Sequence, residues 1–78
     1  TMSKLEQATQ MINDVLNSND TVSFKSPANV WYIYQEDGMI TVDADRYCNG
    51  YSFMADDCGA NDAINLVSDI LNNNLSQC

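Results

Sequence analysis

The sequence predicts an α+β domain: a three- or four-stranded antiparallel sheet with N- and C-terminal helices packed on one face. Three observations predict it. Apolar residues recur at helical spacing near the start and near the end of the chain, at Leu5, Ala8, Ile12, Val15 and Leu16, and at Ala63, Ile64, Val67, Ile70, Leu71 and Leu75. Between them lie short β-rich runs separated by turn residues. The chain has 78 residues, which suits one domain, 1–78, with one thin core.

The first helix opens at Ser3-Lys4-Leu5-Glu6, a capping box in which each end of the motif satisfies a backbone amide of the other. Met11 sits at the edge of its apolar stripe. Asn17-Ser18-Asn19-Asp20 ends it, since these side chains compete for backbone hydrogen bonds. Thr21 to Lys25 alternates Val22 and Phe24 with polar residues, as a half-buried strand does. Ser26-Pro27-Ala28-Asn29 reads as a turn. Val30-Trp31-Tyr32-Ile33-Tyr34 is the strongest strand signal, and Glu36-Asp37-Gly38 closes a hairpin onto Met39–Asp43. A turn at Tyr47–Gly50 and a shorter strand at Tyr51–Ala55 follow. Asp56-Asp57-Cys58-Gly59 reads as loop, with Asn61 capping the second helix and Asp62 beside its N-terminal dipole. Asn72-Asn73-Asn74 frays its end.

If both helices cover one face of an antiparallel meander, Trp31, Ile33, Ile40, Val42, Tyr51 and Phe53 point inward. Tyr32, Tyr34, Thr41, Asp43, Ser52 and Met54 then face outward. That outer face carries tyrosines and carboxylates.

Charge and composition narrow the function. Eleven Asp and Glu against three Lys and Arg give a formal net charge of −8. Phosphate backbones and anionic membrane surfaces are repelled by such a chain, so neither nucleic acid nor membrane is an expected partner. A basic partner is attracted from a distance. No apolar run approaches the ~20 residues of a membrane helix, and no basic segment precedes an apolar stretch as in a secretory leader. Cys48, Cys58 and Cys78 are odd in number and match no zinc spacing, which points to a reducing, cytoplasmic setting. Pairing of Cys48 with Cys58 stays open if they flank a loop.

No catalytic constellation emerges, so no enzyme and no cofactor are expected. There is no histidine to act as general base, and no cysteine has an activating cation near it in sequence. A carboxylate pair for glycoside hydrolysis needs a cleft that a thin domain lacks. Asp43-Ala44-Asp45 opens like a calcium loop, but Met54 stands at the position that needs glutamate. Asp56 to Asp62 is oxygen-rich without a matching register. A solvated acidic surface accounts for both, so no metal is expected.

The remaining signal is the distribution of acids. Glu36 and Asp37 lie in the hairpin turn, Asp43 and Asp45 on or after the returning strand, and Asp56, Asp57 and Asp62 near the second helix start. Solubility alone is one explanation. The sharper one is phosphate imitation: carboxylates on alternate strand residues repeat about every 6.6 Å, of the order of phosphate spacing. Tyr32 and Tyr34 supply rigid contact area of the kind interfaces favour.

These features together are similar to a known class. A helix runs into Asn19-Asp20-Thr21-Val22-Ser23-Phe24-Lys25. An aromatic strand ends in Gln35-Glu36-Asp37-Gly38, with Ile40-Thr41-Val42 returning, and an acidic amphipathic helix runs from Asp62 to Leu71. In order, size and acidity the chain resembles the small phage-encoded anti-CRISPR proteins, the acidic α-β-β-β-α inhibitors that occlude the DNA-binding surface of Cas9. Three cysteines and a tighter first connection depart from that pattern. The resemblance implies a stoichiometric inhibitor of a CRISPR effector in a host bacterial cytoplasm, with Glu36, Asp37, Asp43, Asp45, Asp56, Asp57 and Asp62 as contacts. The alternative is a structural or assembly component, such as a phage accessory protein or complex subunit, marked by self-association and an exposed Trp31.

Overall fold

A computed structural model describes residues 1–27, 29–45 and 50–72. The element order is α1 (Lys4–Ser18), β1 (Val22–Lys25), β2 (Val30–Glu36), β3 (Met39–Ala44), β4 (Tyr51–Met54) and α2 (Asp57–Leu71). The four strands form one antiparallel sheet in the order β1-β2-β3-β4. The expected α+β architecture is therefore present, with the fourth strand formed.

Both helices lie on one face of that sheet. Ala8, Ile12 and Val15 of α1 and Ala63, Val67 and Ile70 of α2 share one buried cluster with Trp31, Ile33, Ile40 and Val42. Alternation delivers these strand residues to one side, as period-two geometry requires. Full burial of each large apolar side chain contributes ~1.5–3 kcal/mol. Trp31 also stacks on its register partner Phe24, with ring centroids 6.4 Å apart. Its indole Nε1–H donates to Ser26 Oγ at 3.0 Å, so its one polar atom is satisfied inside the core.

Local chemistry sets the ends of the elements. The Ser3–Glu6 capping box forms as expected, with both reciprocal hydrogen bonds present. The Ser3 amide donating to the Glu6 carboxylate holds that carboxyl below its ordinary range. A group with a depressed folded pKa stabilises above its unfolded pKa, and the benefit is lost as pH falls through the folded value. Helix α1 should therefore fray at its N-terminus below the ordinary carboxylate range. A Glu6→Gln variant followed by NMR should lose that acid-side transition. Asn19 ends α1 in the left-handed region (φ 61°), and its amide donates to Val15 O. Gln35 Nε2 donates to the same carbonyl from β2 at 3.4 Å, tying the helix end to the sheet. The hairpin turn has Asp37 and Gly38 at φ 54° and 74°, the double positive φ of a two-residue type I′ turn.

Two expectations are corrected. The second helix begins at Asp57, and its cap is Asp56 rather than Asn61: the Asp56 carboxylate accepts from the Gly59 amide at 2.7 Å. Asn61 and Asp62 lie inside the helix on its exposed side. Asp-Asp-Cys-Gly resembles a turn locally, but the glycine serves packing. A Cβ built on Gly59 lies 1.7 Å from Met54 O and 2.8 Å from Met54 N. The first turn of α2 thus rests directly on the β4 backbone. Asp56→Ala should cost about 1 kcal/mol in chemical denaturation, and Asn61→Ala close to nothing.

The other correction concerns Leu5, which is 52% exposed although it lies on the apolar stripe. Residues 1 to 6 are all exposed, so the first turn of α1 projects past what the sheet and α2 cover. The turn expected at Tyr47–Gly50 falls largely outside the described residues, as do Cys48, Leu75, Cys78 and most of the Asn72–Asn74 run. Cys58 is an exposed free thiol.

Candidate protein-binding surface

Because the helices occupy one face, the opposite face of the sheet is open. Its residues follow from the register. Along β2 it carries Val30, Tyr32, Tyr34 and Glu36, and along β3 Met39, Thr41 and Asp43. Ser52 and Met54 of β4 and Ser23 and Lys25 of β1 flank them, and all four are exposed. The outward set expected from alternation, Tyr32, Tyr34, Thr41, Asp43, Ser52 and Met54, is thereby placed on this face.

Tyr32 pairs directly with Asp43, and Tyr34 with Thr41. The Tyr34 hydroxyl reaches diagonally and donates to Asp43 Oδ2 at 2.6 Å. This short bond, made by the protonated phenol, raises the Tyr34 pKa above its ordinary 10.0, with burial and the charges of Asp43 and Glu36 adding to it. A group whose folded pKa is raised stabilises below its unfolded pKa, and that contribution disappears as pH climbs through the folded value. Ultraviolet titration should show the Tyr34 phenol ionising above its ordinary value, and Asp43→Asn should remove the delay.

Asp43 is held from the other side as well. Continuing the β3–β4 register places Gly50 opposite Asp43, and a Cβ on Gly50 would lie 1.7 Å from Asp43 Oδ1. The carboxylate fills the space that a side chain at residue 50 would occupy. Asp45 follows just beyond β3 and is exposed, and its amide donates to Val30 O at 2.9 Å. Two residues along, alternation returns it to the side of Asp43, about 6.8 Å away.

The remaining acids gather at the opposite end of the sheet. The Ala55 amide donates to Gly38 O at 3.0 Å, which brings the β2–β3 turn beside the β4–α2 junction. The segment of Glu36 and Asp37 thus lies beside that of Asp56 and Asp57, and all four residues are exposed. Asp62 is one helical turn further on, and with Asp56 it lines a shallow groove of about 310 Å³ between β4 and α2. The seven acids singled out in the sequence therefore form two groups. Asp43 and Asp45 stand at one end of the open face, and Glu36 at the hairpin end lies ~14 Å along the strands from Asp43 and ~20 Å from Asp45.

Sequence reasoning left Met39 and Met54 out of the candidate site. They are register partners on the open face, in one row with Glu36 and next to the row of Tyr34 and Thr41, and Met54 is 58% exposed. Their signal was the same alternation that placed Met54 outward. Tyrosines and methionines at the centre with carboxylates at both ends resemble the composition of a protein interface, whose core favours Tyr and Met. The cation among the described residues of this face is Lys25, on the edge strand.

Among the described residues, no group of three or more His, Cys, Asp or Glu side chains is placed to hold a metal ion, and no helix is long and apolar enough to cross a membrane. No protein-family model, characterised protein or solved structure matches the chain.

Proposed function

We propose that this protein is a stoichiometric inhibitor that docks its open sheet face and acidic hairpin end on a basic, nucleic-acid-handling protein, a CRISPR effector by resemblance. The supporting observation is the open face itself. It carries Tyr32, Tyr34, Met39 and Met54, with Asp43 paired to Tyr32 and Glu36 paired to Met39, in a chain of net charge −8. A second copy of the chain would bring like charges together, whereas a basic groove offers complementary ones. Tyrosines and methionines supply the desolvated contact, and the carboxylates steer approach and compete for the cations that would hold nucleic acid.

The test uses purified CRISPR effectors of several types, each assayed for DNA binding and cleavage with increasing amounts of this protein. One effector should be inhibited at a one-to-one ratio, with inhibition weakening as salt rises and DNA competing for the same surface. No inhibition of any effector, together with elution as an oligomer, would favour an assembly component instead. For that second reading the exposed Met2, ahead of α1, and Leu5, in its first turn, join Met54 as apolar contacts, since Trp31 is buried.

A further inference from the structure

We infer that a second copy of this chain adds to the free edge of β1, joining two four-stranded sheets into one of eight strands. The inference stands apart from the basic-partner reading. The two outer strands of the sheet are not alike. The bond from the Ala55 amide to Gly38 O sets the alternation of β3 and β4, so Met54 turns its amide and carbonyl away from β3. The first turn of α2 covers them, with Gly59 set against Met54 N and O. At the other edge the Ser26 amide donates to Asn29 O at 2.9 Å, which makes Phe24–Trp31 and Val22–Ile33 the bonded pairs of β1 and β2. Ser23 and Lys25 therefore turn their amides and carbonyls outward. Both residues are exposed, and no strand among the described residues takes up that edge.

A free strand edge is a template for another strand. The sequence of β1 is self-complementary about a twofold axis at Ser23: Val22 meets Phe24 of the second copy, Phe24 meets its Val22, and Lys25 stands opposite its Thr21. Val22 and Phe24 are half-buried on the helix side, and this pairing covers what they still expose. Sliding the pairing one bonded step toward the turn would set Pro27, which has no N–H, opposite Thr21. Residues 21–34 contain no acid and a single cation, Lys25, in a chain of net charge −8, so two copies approach here against the least repulsion. There is also room. Helix α1 packs on β2 more than on β1, and the two β2 strands would lie three strand spacings apart, ~14 Å, wider than packed helices need. The axis is normal to the sheet, so all four helices share one side and the two open faces run together on the other.

The interface is small, so the dimer should be weak and visible by sedimentation equilibrium of the intact protein between about 10 μM and 1 mM. Association should strengthen at least threefold at high salt, the opposite of binding to a basic partner. Ser23→Asp and Ser23→Lys each set like charges face to face across the axis and should weaken association at least tenfold. An equal mixture of the two variants should restore it. Circular dichroism checks that each variant folds, and the Ser23 and Lys25 amides of the native protein should exchange more slowly as its concentration rises. Monomer throughout the range at both salts would overturn the proposal and leave the basic-partner reading untouched. A dimer indifferent to both Ser23 variants would overturn the β1 edge as its contact. A mixture that stays monomeric would overturn the pairing centred on Ser23.

Discussion

Replacing Gly59 with alanine is expected to destabilise the fold by about 3 kcal/mol, which for a domain this small lowers Tm by roughly 12–24 °C. The added methyl would meet three backbone atoms of Met54, at 1.7, 2.7 and 2.8 Å. Backbone cannot rotate out of the way as a side chain can, so α2 must lift from β4 or the strand must bend. Either response strains the packing of Ala63 and Val67 onto the sheet. Gly50→Ala is the control. Its methyl also meets an atom at 1.7 Å, but that atom is the Asp43 side-chain oxygen. Asp43 can turn aside at a cost of about 1.5 kcal/mol, releasing the Tyr34 hydroxyl and returning that phenol toward its ordinary pKa. Thermal melts of both variants decide the matter. Equal small losses would show that α2 does not rest on β4 as described.

The second large effect concerns binding. Alanine at both Tyr32 and Tyr34 should weaken the complex about 1,000-fold, taking each buried tyrosine as ~2 kcal/mol and the pair as nearly additive. Glu36→Gln with Asp37→Asn should act differently. These acids are exposed at the hairpin end, where water and salt screen them. A loss of about three- to tenfold is expected, mostly in the association rate and mostly gone at high salt. If the amide pair changed nothing at any salt, the carboxylates would serve solubility alone and the phosphate-imitation idea would fall.

Much of the fold was legible because local pattern and tertiary need agree. Trp31 and Ile33, Ile40 and Val42, and Tyr51 and Phe53 alternate as strands do, and the structure turns all six toward the helices. Ser3 and Glu6 form a cap that needs no partner beyond four residues. The start of α2 was not legible for the opposite reason. Asp56-Asp57-Cys58-Gly59 carries turn chemistry, and only the approach of Gly59 to Met54 explains a glycine inside a helix. Leu5 shows the same limit: its spacing is right, but periodicity does not reveal where the neighbouring elements stop.

The candidate site was legible as a list and not as a shape. The acids and tyrosines stand out by type. That the turn carrying Glu36 and Asp37 lies beside the junction carrying Asp56 and Asp57 depends on one long-range bond, from the Ala55 amide to Gly38 O. The diagonal bond from Tyr34 to Asp43 depends on a strand register that the turn residues set.

The measurement that bears most directly on the central claim is one-to-one inhibition of a purified CRISPR effector by the native protein and by Tyr32→Ala/Tyr34→Ala, at two salt concentrations. The account predicts inhibition by the native protein that weakens with salt, and its near-complete loss in the double variant while the variant's fold is retained. Full inhibition by that folded double variant would contradict it, because the open face of the sheet would then not be the surface that binds.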